Sequence, residues 1–213
     1  DEALASYTQA IALKPDYAQA HSNLGNTLKE LGRLDEAEAS HTQAIALKPD
    51  YAKAHYNLGA TLQELGRLDE ALASYTQAVA LKPDFAEAHY NLGITLQELG
   101  RLEEAEASYK QAIALNPDDA EAHNNLGITL KELGILDESE VSYTQAIVLK
   151  PNYAEAHSNL ANTLREMGRL DEAEVSYRQA IALKTGFFVA YQKLAITQRE
   201  LGKIEQAIQS ERC

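Results

Sequence analysis

Histidine, asparagine and serine each return at one fixed interval along this 213-residue chain. The histidines are His21, His55, His89, His123 and His157, and the asparagines follow two places behind at Asn23, Asn57, Asn91, Asn125 and Asn159. Ser74, Ser108 and Ser142 form a third column. A column of imidazoles suggests a metal site, but the spacing opposes it. Packed helices lie about 8–10 Å apart, whereas two donors on one zinc, each ~2.0–2.1 Å from the ion, are only ~3–4 Å apart. The histidines therefore read as core-facing residues whose polar edge reaches solvent or a carbonyl, and no metal is expected. The serines have no base and orienter recurring beside them, and read as small residues that close a helix contact. Neither a catalytic residue nor a cofactor is expected, since no glycine-rich phosphate loop or paired-carboxylate pocket can be found. The chain reads as a non-enzyme.

The asparagines are a different matter. Asparagine forms helices poorly because its amide competes for nearby backbone hydrogen bonds, so five at one place need a reason. The amide offers both a donor and an acceptor, the groups that an extended peptide's C=O and N–H require. A repeat step of ~10 Å spans about three extended residues at ~3.3 Å each, so one amide could grip a partner's backbone at every third residue. The alternative is that each asparagine bonds to the neighbouring repeat and sets the geometry of the stack. The two roles are compatible.

The elements that position these columns share their period. All five prolines (Pro15, Pro49, Pro83, Pro117, Pro151) keep the same interval, as do Gly32, Gly66, Gly100, Gly134, Gly168 and Gly202. Each unit reads as two helices. In DFAEAHYNLGITLQELG, Asp84 and Glu87 have capping-box spacing, and Ala88, Leu92, Leu96 and Leu99 form a helical stripe. Gly100 suits the left-handed turn that ends a helix. The second helix, in RLEEAEASYKQAIALNPD, buries Ala105, Tyr109, Ala112, Ile113 and Leu115 and is stopped by Pro117. Glu103 with Glu106 imitates a capping box there, and Asp35–Glu38, Asp137–Glu140 and Asp171–Glu174 match it better. Gly25 and Gly93 fall inside helices, where they permit close helix approach. No strand-like alternation occurs.

This pattern resembles the tetratricopeptide repeat, whose signature is W-x2-L-G-x2-Y, then A-x3-F, then P, in about 34 residues. The interval between the columns above is the length of that unit. His89, Leu92, Gly93, Leu96, Ala105, Tyr109 and Pro117 hold the signature places in one unit, with His for Trp and Leu for Tyr. The resemblance implies an all-α, right-handed superhelical solenoid of helix-turn-helix repeats. Residues 1–213 read as one array: a partial repeat at 1–17, full repeats at 18–51, 52–85, 86–119, 120–153 and 154–187, and a divergent partial repeat at 188–213. Thr185, Gly186, Tyr191, Lys193 and Ala195 mark that divergence. The first helices of this family line the concave surface, so the resemblance places the asparagine ladder in the groove. The wording AHSNL and NTLKELG is most similar to the repeat arm of the O-linked N-acetylglucosamine transferases and their bacterial relatives, where such a ladder holds protein substrates by their backbones. Tyr56, Tyr90, Ile94 and Ile128 are the variable groove positions expected to give specificity. The family's two-carboxylate clamp does not fit: Ser22, Tyr56, Tyr90, Asn124 and Ser158 precede the ladder asparagines, never lysine, and Lys53 alone matches one basic position.

Charge narrows the partners. Nineteen basic residues against thirty-two acidic ones give a net charge of −13, without the basic footprint of nucleic-acid binding. No apolar run is long enough to span a membrane, so no membrane partner is expected for this stretch. Cys213 is the only cysteine, which is compatible with a cytoplasmic setting. A start at Asp1, in mid-repeat, reads as a fragment of a longer protein. The expected function is a scaffold that binds an extended peptide or protein segment. Its rivals are a self-assembling array joined end to end, with oxidation of Cys213 contributing, and the substrate-recognition arm of a larger glycosyltransferase-type enzyme.

Overall fold

The structure, a computed structural model, describes residues 2–210, so Cys213 lies outside it. The described residues form thirteen helices and no strand. They fall into two compact units, Asp1–Leu115 and Asn116–Cys213. The first holds α1 (Glu2–Leu13), α2 (Ala18–Glu30), α3 (Leu34–Leu47), α4 (Ala52–Glu64), α5 (Leu68–Leu81), α6 (Ala86–Glu98) and α7 (Leu102–Leu115). The second holds α8 (Ala120–Glu132), α9 (Leu136–Leu149), α10 (Ala154–Glu166), α11 (Leu170–Leu183), α12 (Phe188–Glu200) and α13 (Ile204–Ser210). Even-numbered helices start at one constant interval, the same as that of the histidines and prolines. Each packs on the helix that follows it, and within a unit each even-numbered helix also touches the next even-numbered one. The even-numbered helices thus share one face of each unit.

Helix ends follow the glycines. Gly100 has φ +72°, its N–H donates to the Gln97 carbonyl, and the Arg101 N–H reaches back to Leu96 O at 2.8 Å. This paired bonding is the Schellman motif, and a residue with a Cβ would be strained in that backbone conformation. Helix starts depart from expectation. The residue before α6 is Phe85, not Asp84, and it makes no side-chain cap. Asp35, Asp137 and Asp171 lie inside α3, α9 and α11, one residue past the helix start. Their supposed partners bond elsewhere: Glu38 to Arg67, Glu140 to Arg169, Glu174 to Lys203 and Glu106 to Lys110. The capping-box spacing was a coincidence of charges that serve ion pairs, three of them between repeats. α8 does have a side-chain cap, from Asp119, whose carboxylate accepts the Glu121 and Ala122 N–H groups at 3.0 Å.

In three of the hairpins the core is a tyrosine laid against a glycine: Tyr75 on Gly59, Tyr109 on Gly93 and Tyr143 on Gly127. Tyr75, Tyr109, Tyr143 and Tyr177 are fully buried. A Cβ placed on Gly93 would meet the Tyr109 ring at 2.7 Å, and one on Gly59 would meet Tyr75 at 2.8 Å. The expected absence of room at Gly93 is therefore real. Burial pushes the phenols of Tyr75, Tyr143 and Tyr177 above their ordinary value, and Tyr75 and Tyr109 donate to Gln63 and Gln97 at 3.0 Å. Ser74, Ser108 and Ser142 turn their hydroxyls onto the carbonyls of Glu70, Glu104 and Glu138 one turn back, in keeping with small residues at a helix contact.

Candidate functional site

The histidine column is fully occupied by structure. His21, His55, His89, His123 and His157 each place Nε2 at 2.9–3.1 Å from the carbonyl oxygen of the proline six residues earlier. A carbonyl only accepts, so Nε2 carries the proton and donates. The bond ties the start of each first helix to the loop before it. The expectation that these rings meet a carbonyl holds in all five repeats. Among the described residues, no three of His, Cys, Asp and Glu converge as a metal site would require.

The asparagines lie on the shared face of the even-numbered helices, and most of them reach across to the preceding repeat. In the first unit, Asn57 Nδ2 donates to Ser22 Oγ at 3.3 Å and Asn91 Nδ2 to Tyr56 Oη at 3.0 Å. In the second, Asn159 Nδ2 donates to Asn124 Oδ1 at 3.1 Å. Asn23 instead accepts from Gln19 Nε2 at 2.9 Å within its own helix, and Asn125 accepts from Asn124. Asn57 is 7% exposed, and the other four are half-buried. One N–H of each bridging amide is thus committed to the stack. The backbone carbonyls of Asn57, Asn91 and Asn125 also accept from Thr61, Thr95 and Thr129 one turn on.

The sequence reading overlooked the acceptors. Each ladder asparagine is preceded by Ser22, Tyr56, Tyr90, Asn124 or Ser158, side chains that differ in size but all carry an oxygen. That shared oxygen was the available signal, because Ser22, Tyr56 and Asn124 each receive the amide of the asparagine 35 residues on.

Residues 1–206 match the family described as the Cilia and flagella-associated protein 70 C-terminal domain, a tetratricopeptide-repeat family. The chain belongs to that family. Among solved structures it is similar to YrrB, described as a tetratricopeptide-repeat protein with an unusual peptide-binding site. That likeness has 25% identity and a TM-score of 0.78, over 86% of this chain and 95% of that one. It is similar to MamA at 26% identity and TM-score 0.73, covering 75% and 94% of the two chains. PilF of Pseudomonas aeruginosa, 19% identical with TM-score 0.77 over 91% and 88%, shares the fold. No curated protein sequence matches.

In these tetratricopeptide repeats the expected specificity positions Tyr56, Tyr90, Ile94 and Ile128 are all half-buried. Tyr90 packs its ring on Tyr109 at 6.0 Å. Tyr56 does more. Its ring lies tilted against Phe85, 4.9 Å between centroids, and against Tyr75 at 5.8 Å, and its hydroxyl receives Asn91. Burial pushes that phenol up, the bond from Asn91 pulls it down, and the Glu87 carboxylate raises it further. Tyr56 lines a cavity of about 400 Å³ with Lys53, Lys82, Phe85 and Glu87. Ile94 and Ile128 do not line it. The face thus offers amide groups in register with the repeats, together with one aromatic pocket carrying charge.

Proposed function

We propose that this protein is a non-catalytic scaffold that binds an extended peptide or protein segment along the face of its even-numbered helices. The observation that carries this reading is the division of labour in the ladder amides. Asn91 spends one N–H on Tyr56, and Asn159 spends one on Asn124. An amide has a second N–H and a carbonyl oxygen, which are the groups that meet a strand's C=O and N–H. The bond to the neighbouring repeat holds the amide still, so little rotamer freedom is lost when a ligand arrives. The 25% identity to YrrB, which has a peptide-binding site, supports a peptide as the ligand class. The similarity of the repeat wording to the arm of the O-linked N-acetylglucosamine transferases supports the same backbone grip, and with it service as a substrate-recognition arm.

The test is selection of peptides from a displayed library on the purified protein, followed by calorimetric titration of Asn91→Ala and Asn159→Ala. Loss of affinity of similar size for ligands of unrelated sequence supports a backbone grip. Unchanged affinity with a lowered melting temperature would show that the asparagines serve only the stack.

End-to-end association of copies is a second reading. Light scattering over a concentration series, with and without reductant, tests it. A strictly monomeric protein in both conditions removes it.

A further inference from the structure

One repeated device changes sign at a single place. A lysine follows the end of the second helix in most units and lies over the aromatic ring three residues on. The distances are 5.3 Å for Lys48 and Tyr51, 4.8 Å for Lys82 and Phe85, 4.7 Å for Lys150 and Tyr153, and 5.0 Å for Lys184 and Phe187. In the second unit each such lysine also meets a carboxylate from the first turn of the preceding first helix. Lys150 Nζ lies 3.6 Å from Glu121 Oε1, and Lys184 Nζ lies 2.5 Å from Glu155 Oε1. For Lys82 the residue in the corresponding place is Lys53. The two lysines line one cavity of about 400 Å³ with Tyr56 and Phe85, and Glu87 lines it too. Among the described residues neither lysine takes part in an ion pair.

Lys53 is unfavourable where it stands, for two reasons. It sits in the first turn of α4, where the helix dipole favours an anion, and a like charge shares its pocket. The chain as a whole carries a net charge of −13, so acidic residues were abundant alternatives. A local rule broken with no local gain marks a functional place.

We propose that this pocket binds a side-chain carboxylate of an acidic peptide segment. The carboxylate takes the position beside Lys82 that Glu121 and Glu155 take beside Lys150 and Lys184, and Lys53 supplies a second charge-assisted hydrogen bond. An adjoining apolar side chain rests on Tyr56 and Phe85. The segment's course rests on the groove reading above: Asn57 and Asn91 stand on α4 and α6, the helices that bring Tyr56 and Glu87 to the pocket. A chain held by both passes through, so its carboxylate comes from a side chain and not from a terminus. Glu87 repels a second carboxylate, which limits the motif to one acid beside a neutral apolar residue. This arrangement differs from the two-carboxylate clamp because Lys82 comes from the end of a second helix.

The test uses two peptides, SGEFGS and SGQFGS, acetylated and amidated so that glutamate holds the only carboxylate. Both are titrated by chemical-shift perturbation into the intact chain and into Lys53→Glu and Asn91→Ala. Lys53→Glu copies the pairing already present at Glu121 and Glu155, so its fold is kept, and an unchanged or raised melting temperature verifies this. The expected result is affinity about fivefold or more higher for SGEFGS in low salt, shrinking towards parity near ~0.5 M as screening sets in. Lys53→Glu should abolish or invert that preference. Equal affinities, no binding of SGEFGS, or a preference that survives Lys53→Glu would each overturn the proposal. Asn91→Ala separates the two readings. If it weakens both peptides while Lys53→Glu changes nothing, the groove stands and the pocket falls. Should the preference depend on Lys53 while Asn91→Ala has no effect, the pocket stands and the backbone grip falls.

Discussion

The first hairpin, α2 with α3, and the next two, α4–α5 and α6–α7, have the same backbone but different groups at the helix crossing. In the latter two a tyrosine lies on the glycine and its hydroxyl finds Gln63 or Gln97. In the first hairpin the tyrosine is replaced by His41, which lies against Gly25 so tightly that a Cβ there would meet its ring at 2.5 Å. His41 is 0% exposed, and neither Nδ1 nor Nε2 has a hydrogen-bond partner. Lys29 occupies the place of Gln63 and Gln97. Burial, and then the Lys29 charge, hold the imidazole down at about 4 instead of its ordinary 6.5. The fold is thus set by volume and the glycine contact, which imidazole satisfies. The polar bond at the far end of the ring is a separate contribution that a repeat can lose while keeping its shape.

The largest way to break this comparison is at the shared feature. Gly93→Leu must push against Tyr109, a ring with no exposure, so the cost should reach or exceed the upper end of the ~1–3 kcal/mol usual for overpacking. Chemical denaturation of the variant measures it. Unchanged stability would mean that the glycine contact is not what fixes the hairpin. The second unit already contains the milder version. Ala161 stands in the glycine's place, and there Tyr177 turns its hydroxyl to Asn162 Oδ1 at 2.7 Å. Gly93→Ala alone should therefore cost less than Gly93→Leu, and adding Ile94→Asn should recover part of the loss.

The next effect sharpens the difference between the hairpins. His41 has a folded value below its ordinary one, so the unfolded chain takes up the proton first. Stability from the neutral ring is fully present above pH 6.5 and is lost as the pH falls towards 4. Between pH 7 and pH 5 the expected loss is about 2 kcal/mol. The variant His41→Tyr with Lys29→Gln copies the second hairpin and should lack that part of the pH dependence. The other histidines are common to both proteins, so the difference between their melting curves at the two pH values isolates position 41. Parallel curves would show that the buried imidazole does not titrate in this range.

What was legible in the chain followed from local rules repeated many times. The paired helices, the left-handed glycines and the histidine's search for a carbonyl all concern residues within a few positions of one another, and the period made each of them visible several times over. Misreadings occurred where the partner lay a repeat away. Glu38 looked like half of a capping box because Asp35 is three residues back, yet its bond is to Arg67 at 2.6 Å. The same distance hid the acceptors of the ladder, since Tyr56 and Asn91 meet only when α4 and α6 lie side by side. In the sequence alone Lys53 is a lone match to one basic position of the two-carboxylate clamp. Its meaning needed the second unit's Glu–Lys pairs for contrast.

The smallest effect concerns that ladder bond. Asn91→Ala removes the donor to the Tyr56 hydroxyl, and Tyr56→Phe removes the acceptor. Each should cost roughly 0.5–1.5 kcal/mol, offset in the first case by alanine's better helix propensity. If the bond is what the two residues share, the double variant should cost less than the sum, and the difference is the coupling energy. Binding separates the roles that stability merges. Tyr56→Phe leaves both N–H groups of the amide available but releases it from the bond that holds it still, so affinity for a groove ligand should fall by less than in Asn91→Ala while stability drops. Asn91→Ala should lower both. Equal losses of affinity in the two single variants would mean that the amide works only when pinned by the phenol, and orientation would then outweigh the number of free hydrogen-bonding groups.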